Sequence, residues 1–577
     1  MTRWTRHSVF WGLCGVLLVL AGAWLVLLPS RLAASIATTL EDGTGIGMAI
    51  AGSATLAFDD GPKIRFTRLR LADAKAPGSL KVELAEVMLP LSPSDMLGPP
   101  KIPHSARIDG AVFDLDLGVP LNLTPSPGKS SLQESGGEEM VRYKINFSNS
   151  AFNLRDSKSG FALAFADADG VMESSATRPF LLHMSGLLNG IYTTLHIEAD
   201  SAARILEGGS PADIVLSSDS GELRFSGRLG WNAASILALD GRLSAASRRT
   251  DSLLAWLGLP SALAPASAIE LEGSFSSAGA QALLPEYSLQ TNWASGKGKL
   301  SLAARPGGFA VDGALSAEKI TLAQPGSSTA EDGWSSASFR WLPLAGVEGN
   351  FQVNAKSLVL RGWTLPDAHL LFSFGKEEAE LAVGASQDKT SFSASISRAY
   401  PPAFTFKAKL ADAPAREVLS SLAGYPWLDG KIELDLDATA AGANTAALVS
   451  TLAGKLSFAL TGGTVTGYSL KDLLSDSGKG WRAARADATT GVEVSTSCEM
   501  ADGIITLGAT RIGASDLDVD AGGEIDLLRQ ALDLRIDASR SKDLPKNMTI
   551  SGSWHAPEFG VTTARKEQSQ EPMPSQN

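Results

Sequence analysis

The feature that most constrains this chain is an uncharged run of twenty residues, Val9 to Leu28. A helix of that length rises about 30 Å, which matches the hydrocarbon core of a bilayer. Arg3, Arg6 and His7 precede the run, and Arg31 and then Glu41 and Asp42 follow it. The positive-inside rule therefore predicts a cytoplasmic N-terminus at 1–8, a transmembrane helix at 9–28 and a body on the far side of the membrane. The residues predicted to anchor it are Val9, Phe10, Trp11, Leu17, Leu18, Leu20, Trp24, Leu25, Leu27 and Leu28.

A cleaved signal peptide is the alternative for the same run, with a site of small residues near Leu32, Ala33 and Ala34. The apolar core of a signal peptide usually has about 7–15 residues, so the length of this run favours a retained anchor. Both interpretations place the body outside the cytosol.

Charge and cysteine content narrow the class of the body. The net charge is −12 and no basic stripe is present, which argues against nucleic acid as a partner. Cys14 lies in the apolar run, so Cys498 is alone in the body and no intrachain disulfide can form there. We expect Cys498 to be a small buried strand residue.

In most of the remaining sequence, apolar and polar side chains alternate with a period of two residues. In 63–71, charged residues alternate with apolar ones and the phase slips once near Thr67, which predicts a strand with one buried face and a bulge. Similar segments recur at even spacing with short turns between them, which predicts antiparallel meanders and an elongated all-β body. Further strands are expected at 143–147, 151–155, 161–165, 193–199, 222–227, 268–275, 299–303, 357–361 and 404–410.

Few segments of the sequence have a helical pattern, and one such pattern occurs twice. Short helices are predicted near 250–257 and 413–422, each followed by an alternating strand, which suggests a duplicated module. The stretch 121–140 is polar and rich in Pro, Ser and Gly, and predicts a mobile loop. The tail 563–577 has no apolar anchor and is predicted to be disordered.

The sequence lacks the catalytic, nucleotide-binding and metal-binding motifs that we searched for. No HExxH, GxSxG or P-loop pattern occurs, and 43–47 lacks the spacing of a dinucleotide fingerprint. Asp516, Asp518 and Asp520 imitate the start of a calcium loop, but the glycine and glutamate that follow in such a loop are absent. We therefore predict no enzyme activity, no cofactor and no metal, and interpret these aspartates as the solvated face of a strand.

Several segments near the two ends carry a family resemblance. In the C-terminal third they are 452–456, 462–474, 500–505, 520–527, 532–534 and 550–557, and near the N-terminus they are 44–56, 64–66 and 71–73. In this order they resemble the AsmA family of Gram-negative envelope proteins, which is similar to the bridge-like lipid-transfer proteins. Around 485–490 the chain departs from that family, with Thr489 and Thr490 where a Thr-Phe pair is frequent.

The resemblance implies a single-pass protein of the bacterial inner membrane with a periplasmic body. Its fold would be mainly β, an elongated, curled antiparallel sheet with a lengthwise apolar groove and a few short helices. Its regions would be an AsmA-like β region at 29–170, a middle β region at 171–450 and an AsmA-like C-terminal domain at 451–562. Its partners would be phospholipid acyl chains, the inner membrane, and outer-membrane or periplasmic assembly proteins.

Two functions follow from two ways of using the apolar strand faces. Open faces in line would shield acyl chains, and the protein would bind or conduct phospholipids for outer-membrane lipid homeostasis and assembly. Faces that pack on each other would give an ordinary sandwich core and a scaffold that assists outer-membrane protein assembly without lipid transport. The pattern alone favours the closed core, whereas the resemblance favours the open groove. No groove-lining residue can be named from the sequence.

Overall fold

The structure is a computed structural model that describes two compact units. It describes residues 30–38 and 46–561, except for 60, 74–77, 92–103, 120–141, 176–178, 207, 232–235, 260–266, 323–333, 340–345, 386–388, 424–426, 468, 471–487, 516, 539, 542–546 and 555. Unit 1 comprises the chain up to 292 together with 297–313, and unit 2 comprises 293–296 and the chain from 314 onward. Both units are mainly β, as the alternation predicts.

Unit 1 is built on long strands and a few short helical segments. Its strands are β1 Ile46–Ile50, β2 Ala54–Ala57, β3 Lys63–Asp73, β4 Leu80–Pro90, β5 Ser105–Asp116, β6 Arg142–Asp156, β7 Phe161–Ser175, β8 Phe180–Leu188, β9 Ile191–Ala199, β10 Ser210–Ser218, β11 Gly221–Trp231, β12 Leu237–Ser247, β13 Ile269–Ala278 and β14 Gln281–Thr291. Its helices are α1 at 30–38, α2 Ala202–Leu206 and α3 Thr250–Trp256. Strands β15 Ala294–Arg305 and β16 Gly308–Leu322 contain the division between the units.

Unit 2 continues the same pattern. Its strands are β17 Val347–Leu360, β18 Trp363–Phe374, β19 Glu378–Ala385, β20 Thr390–Ser397, β21 Ala403–Pro414, β22 Leu428–Ala441, β23 Ala453–Thr466, β24 Ala488–Ala501, β25 Ile504–Ala514, β26 Leu517–Asp526, β27 Ala531–Asp537, β28 Asn547–Ser553 and β29 Glu558–Val561. Its helices are α4 Ala415–Ala423 and α5 Thr445–Ser450. Each strand from β17 to β29 pairs antiparallel with the next one in sequence.

The predicted phase slip near Thr67 is confirmed. β1 and β2 pair with the two halves of the same edge of β3, and the bend at 51–53 separates them. Opposite the bend, Arg68 adopts a left-handed φ of 51°. A side chain at Gly52 would collide with the Thr67 carbonyl oxygen, which would lie 2.2 Å from the added Cβ. The buried positions of β3 accordingly change from Ile64 and Phe66 to Leu69.

One pair of strands corrects the expectation of a purely antiparallel sheet. β5 and β6 pair in parallel, from Ser105 opposite Lys144 to Asp116 opposite Arg155. A parallel return needs a connection of about a dozen residues or more, and the chain between these strands is long enough to provide it. The local alternation of each strand is the same for either direction, so it could not reveal this pairing.

Carboxylates on β5 hold this parallel pair together. Asn153 donates to Asp114 over 2.7 Å and Ser148 donates to Asp109 over 2.8 Å. Asp116 is buried and accepts backbone N–H groups of Gly118 and Ser157 at 2.9 and 3.0 Å. Burial raises the pKa of Asp116, but the hydrogen bonds from Ser157 and Gly118 outweigh that effect and lower its pKa below the ordinary value.

The first strands of unit 1 enclose a closed core. Leu32 and Ala33 of α1 and Leu253 and Trp256 of α3 are buried in one cluster with residues of β3–β8. Trp256 has no solvent exposure, and its indole nitrogen donates to Thr193 Oγ1 over 2.9 Å. Two separate helices therefore cover the apolar face of these strands.

In unit 2, α4 contacts two neighbouring strands and a third strand that is separated from them in the ladder. It contacts β18, β21 and β22, and its Ala415 and Val418 are fully buried. Because β19 and β20 separate β18 from β21 in the ladder, the sheet must curve beneath the helix. α5 begins at Asn444, whose side chain accepts the Ala447 N–H over 2.8 Å as an N-cap.

The helices predicted near 250–257 and 413–422 are confirmed, whereas α1, α2 and α5 were not predicted. Among the described residues no helix is long and apolar enough to span a membrane. The predicted transmembrane helix at 9–28, the loop at 121–140 and the tail at 563–577 lie outside the described residues.

The Trp256→Ala substitution tests the closed core of unit 1. We expect the free energy of unfolding to fall by about 3–5 kcal/mol. The change leaves a large cavity and removes the indole that donates a hydrogen bond to Thr193. The measurement is the urea-unfolding midpoint of the full-length protein, followed by far-UV circular dichroism. Tyr192→Ala is the control, since Tyr192 neighbours Thr193 but is 63% exposed. Equal shifts for the two variants would contradict this core.

The pKa of Asp116 gives a prediction with a defined sign. Because the folded-state pKa lies below the unfolded value of about 3.9, ionised Asp116 stabilises the fold above that pH, and the stabilisation is lost as the pH falls through the folded pKa. We expect Asp116→Asn to lower the unfolding midpoint most at pH 7, and its difference from wild type to shrink below about pH 4. A difference that stays constant with pH would be inconsistent with this role.

Candidate functional site

An unbroken line of mostly apolar residues crosses unit 2 from strand to strand. Each member is the direct cross-strand partner of the next. We call this line the apolar row; it consists of Val353, Leu370, Val383, Phe392, Ala408, Leu436, Leu456, Cys498, Leu507, Gly523, Leu534 and Ile550. Eight of its members, Val383, Phe392, Leu436, Leu456, Leu507, Gly523, Leu534 and Ile550, are only half-buried, so this face is neither sealed nor fully exposed.

The opposite face of the same strands is mostly polar. The residues that follow or precede the apolar row by one position form a second line of cross-strand partners, the outer row: Gln352, Leu371, Ala382, Ser393, Lys407, Asp437, Lys455, Glu499, Thr506, Glu524, Asp533 and Ser551. Ion pairs join neighbours in it, with Lys407 3.1 Å from Asp437 and Lys455 3.8 Å from Glu499. The sheet of unit 2 is therefore two-sided over its whole width, with the apolar row on its inner face.

Burial on the inner face varies along each strand. The strand ends that meet α4 and the turn at Arg361 form the helix rim, and there Leu410, Ile432, Leu460 and Val492 are almost fully buried. The opposite ends form the strap rim, which carries the turns at 375–377, 398–402, 442–452, 502–503, 527–530 and 554–557. Towards the strap rim Phe406 is 51% exposed. Half-buried apolar residues at this end include Phe351, Phe372, Leu381, Phe404, Ile505, Ile525 and Leu532.

The inner face contains few polar groups among the described residues, and two of them satisfy each other. The hydroxyls of Thr496 and Thr510 lie 2.6 Å apart. Gly523 is the one member of the apolar row without a side chain, since a Cβ there would lie 2.1 Å from the Asp533 carbonyl oxygen. The described part of the inner face therefore offers mainly apolar surface.

A shorter line of the same kind crosses unit 1. Its members are Leu182, Ile197, Ile214, Phe225, Leu243, Gly273 and Tyr287, again direct cross-strand partners. A parallel line runs through Met184, Leu195, Leu216, Leu223, Ala245, Leu271 and Leu289. At one end these lines join the closed core under α3, whereas Leu223, Leu243 and Leu271 are half-buried and belong to no described core cluster.

Asp518 and Asp520, which imitate part of a calcium loop in the sequence, lie on the outer face. Arg511 binds both carboxylate oxygens of Asp518 at 3.1 and 2.9 Å, and Arg540 lies 3.1 Å from Asp520. The hydrogen bond from Arg511 lowers the pKa of Asp518. Among the described residues no group of three or more potential metal ligands occurs. Asp516 lies outside the described residues.

Sequence reasoning could not identify the lining residues. The predicted anchor residues, Val9 to Leu28, lie outside the described residues, so the structure does not test them. The alternation in β22 and β24 shows which side chains share a face. Which residue of one strand meets which residue of the next depends on register, and bulges at 461–463 and 508–509 alter that register.

No family model, no curated protein and no solved structure matches this chain. The likeness to AsmA proteins therefore remains a resemblance of the sequence segments alone.

The neighbouring residues Ser497 and Cys498 test the assignment of the faces. Cys498 is a buried free thiol in the apolar row, and Ser497 is exposed on the outer face. We expect a charged thiol reagent to leave Cys498 unmodified in the folded protein and to react rapidly with Ser497→Cys in a Cys498→Ala background. Peptide mass spectrometry measures both. Rapid reaction of native Cys498 would contradict the assignment.

Proposed function

We propose that this protein binds phospholipid and shields its acyl chains on the inner β-face. The observation that carries the proposal is the apolar row, which is continuous from Val353 to Ile550 and largely half-buried. A closed sandwich would bury such a line, whereas a groove that holds lipid must keep it accessible. The polar outer row keeps the same sheet soluble on its other side.

Energetics make this role feasible without an energy source at the site. Moving one methylene from water to an apolar environment gains about 0.8 kcal/mol. Acyl chains that pass from a bilayer to an apolar groove keep most of that gain, so the net cost of the transfer is small. Headgroups would remain in water at the rims. The protein's contribution is passive shielding, and no bond is made or broken.

The proposed cellular role extends this binding activity. We propose that the run at 9–28 anchors the protein in a bacterial inner membrane, with the body in the periplasm, and that the lipid bound there serves outer-membrane homeostasis and assembly. The support is the charge pattern around that run and the resemblance to AsmA-like sequences. Partners would be phospholipid and the inner membrane, together with envelope assembly proteins.

A scaffold without lipid transport is the second candidate, and one observation favours it. The apolar face of β3–β8 is covered by α1 and α3 in a closed core, as in an ordinary globular domain. If the inner face of unit 2 is also covered, the chain would act through its outer surface alone. The same experiment separates the two functions.

Lipid analysis of the purified full-length protein tests the proposal. After exchange into a detergent that does not resemble phospholipid, extraction and mass spectrometry should find phospholipid in at least equimolar amount. A matched pair of substitutions on β22 localises it: Leu436→Asn changes the apolar row, and Asp437→Asn changes the adjacent outer position. We expect the first to reduce bound lipid several-fold and the second to leave it unchanged.

Circular dichroism and the unfolding midpoint are the controls for folding in both variants. Equal lipid content in the two variants, or a wild-type protein free of phospholipid, would contradict binding on the inner face and favour the scaffold.

A further inference from the structure

A short segment at 334–339 lies along the strap rim of unit 2. Its backbone is joined to the loop between β22 and β23, since Phe339 N–H donates to the Ala443 carbonyl over 2.8 Å and Ala446 N–H donates to the Ser335 carbonyl over 3.1 Å. Its other end reaches the turn after β26, where the Trp334 indole donates to the Leu527 carbonyl over 2.7 Å. The segment thus joins turns from separate parts of the ladder.

Two aromatic side chains of this segment contact residues of the sheet. The ring centroids of Phe339 and Phe404 lie 6.2 Å apart in an edge-to-face arrangement. Phe404 lies on the inner face of β21 with Phe406 and Ala408. The Trp334 ring lies 6.4 Å from Trp554, in the turn after β28, at 85°. Phe339 therefore covers apolar surface at the edge of the inner face.

The two rims differ in how they are closed. At the helix rim, α4 and a buried cluster of Leu517, Val519 and Ile536 seal the inner face against solvent. At the strap rim, Phe406 is exposed and Phe351, Phe404 and Ile525 are half-buried, whereas the inner-face residues Ala379, Ala438 and Met500 are buried there. The described segment that lies along this rim is 334–339. A phospholipid whose headgroup stays in water can reach the apolar row only from a rim that opens.

We propose that acyl chains reach the apolar row across the strap rim, and that residues 334–339 form a strap that lies over this rim and moves aside to admit them. This inference rests on the proposed lipid-binding function. Trp334 and Phe339 occupy part of the apolar surface in the absence of lipid, and acyl chains replace them. Ring contacts of Trp334 and Phe339 and the hydrogen bonds given above contribute to holding the strap, and such non-covalent contacts are reversible.

A disulfide between Ser335→Cys and Ala446→Cys tests whether the strap must move. The backbone hydrogen bond of 3.1 Å from Ala446 N–H to the Ser335 carbonyl makes these residues direct neighbours, and a disulfide requires Cα atoms about 4.4–6.8 Å apart. The full-length protein would carry Cys14→Ser and Cys498→Ala, so that only the new pair can form. The readout is uptake of a fluorescent phospholipid from phosphatidylcholine vesicles, before and after reduction.

We expect the oxidised protein to take up lipid at least about tenfold more slowly than the reduced protein, and full recovery after reduction. The matched control is the outer-row pair Glu499→Cys and Thr506→Cys, whose residues face each other on β24 and β25 away from the strap. Its oxidation should leave uptake unchanged. The Trp334→Ala variant, whose strap has lost one ring contact and one hydrogen bond, should take up lipid several-fold faster than wild type.

The outcomes separate the two proposals. Normal uptake by the oxidised strap variant, or slower uptake by Trp334→Ala in a folded protein, overturns the strap and leaves lipid binding intact. No uptake by wild type or any reduced variant overturns the proposed function itself.

Discussion

The structure depends on the two-residue period of extended strands. Successive side chains point to opposite faces, so a strand with alternating apolar and polar residues is two-sided before it pairs. Pairing in register then aligns the apolar sides of neighbours, as with Leu436, Leu456 and Cys498. Repetition of this step from β17 to β28 produces a continuous apolar face without any large single core.

The two units cover the apolar faces of their own strands in different ways. In unit 1 the helices α1 and α3 supply Leu32 and Trp256, which fill the space over β3–β8 and give an ordinary packed interior. In unit 2 the helix α4 covers only the helix rim, and the apolar row beyond it is half-buried. Helices inserted between strands thus determine where the inner face is sealed and where it is accessible.

Much of the fold could be predicted from the sequence because its determinants are local. The bulge near Thr67, the helices at 250–257 and 413–422, and the alternating strands were visible as patterns of neighbouring residues. The parallel pairing of β5 with β6 was missed, since direction is set by a distant connection and by contacts such as that of Asp114 with Asn153. An apolar groove was expected from the resemblance, but the residues of the apolar row could not be named, because they depend on register across many strands. The contacts of segment 334–339 could not be predicted because they join residues far apart in sequence, such as Trp334 and Leu527.

A photo-crosslinking scan of β22 tests most directly whether acyl chains lie on one face of the sheet. A photoreactive phenylalanine analogue would be placed in turn at each position from 433 to 438 in the full-length protein, and phospholipid adducts would be quantified by mass spectrometry. Adducts at 434, 436 and 438 with little at 433, 435 and 437 are the predicted result, since only the first set shares the inner face. Adducts without this two-residue period, or none at any position, would contradict a lipid-binding inner face.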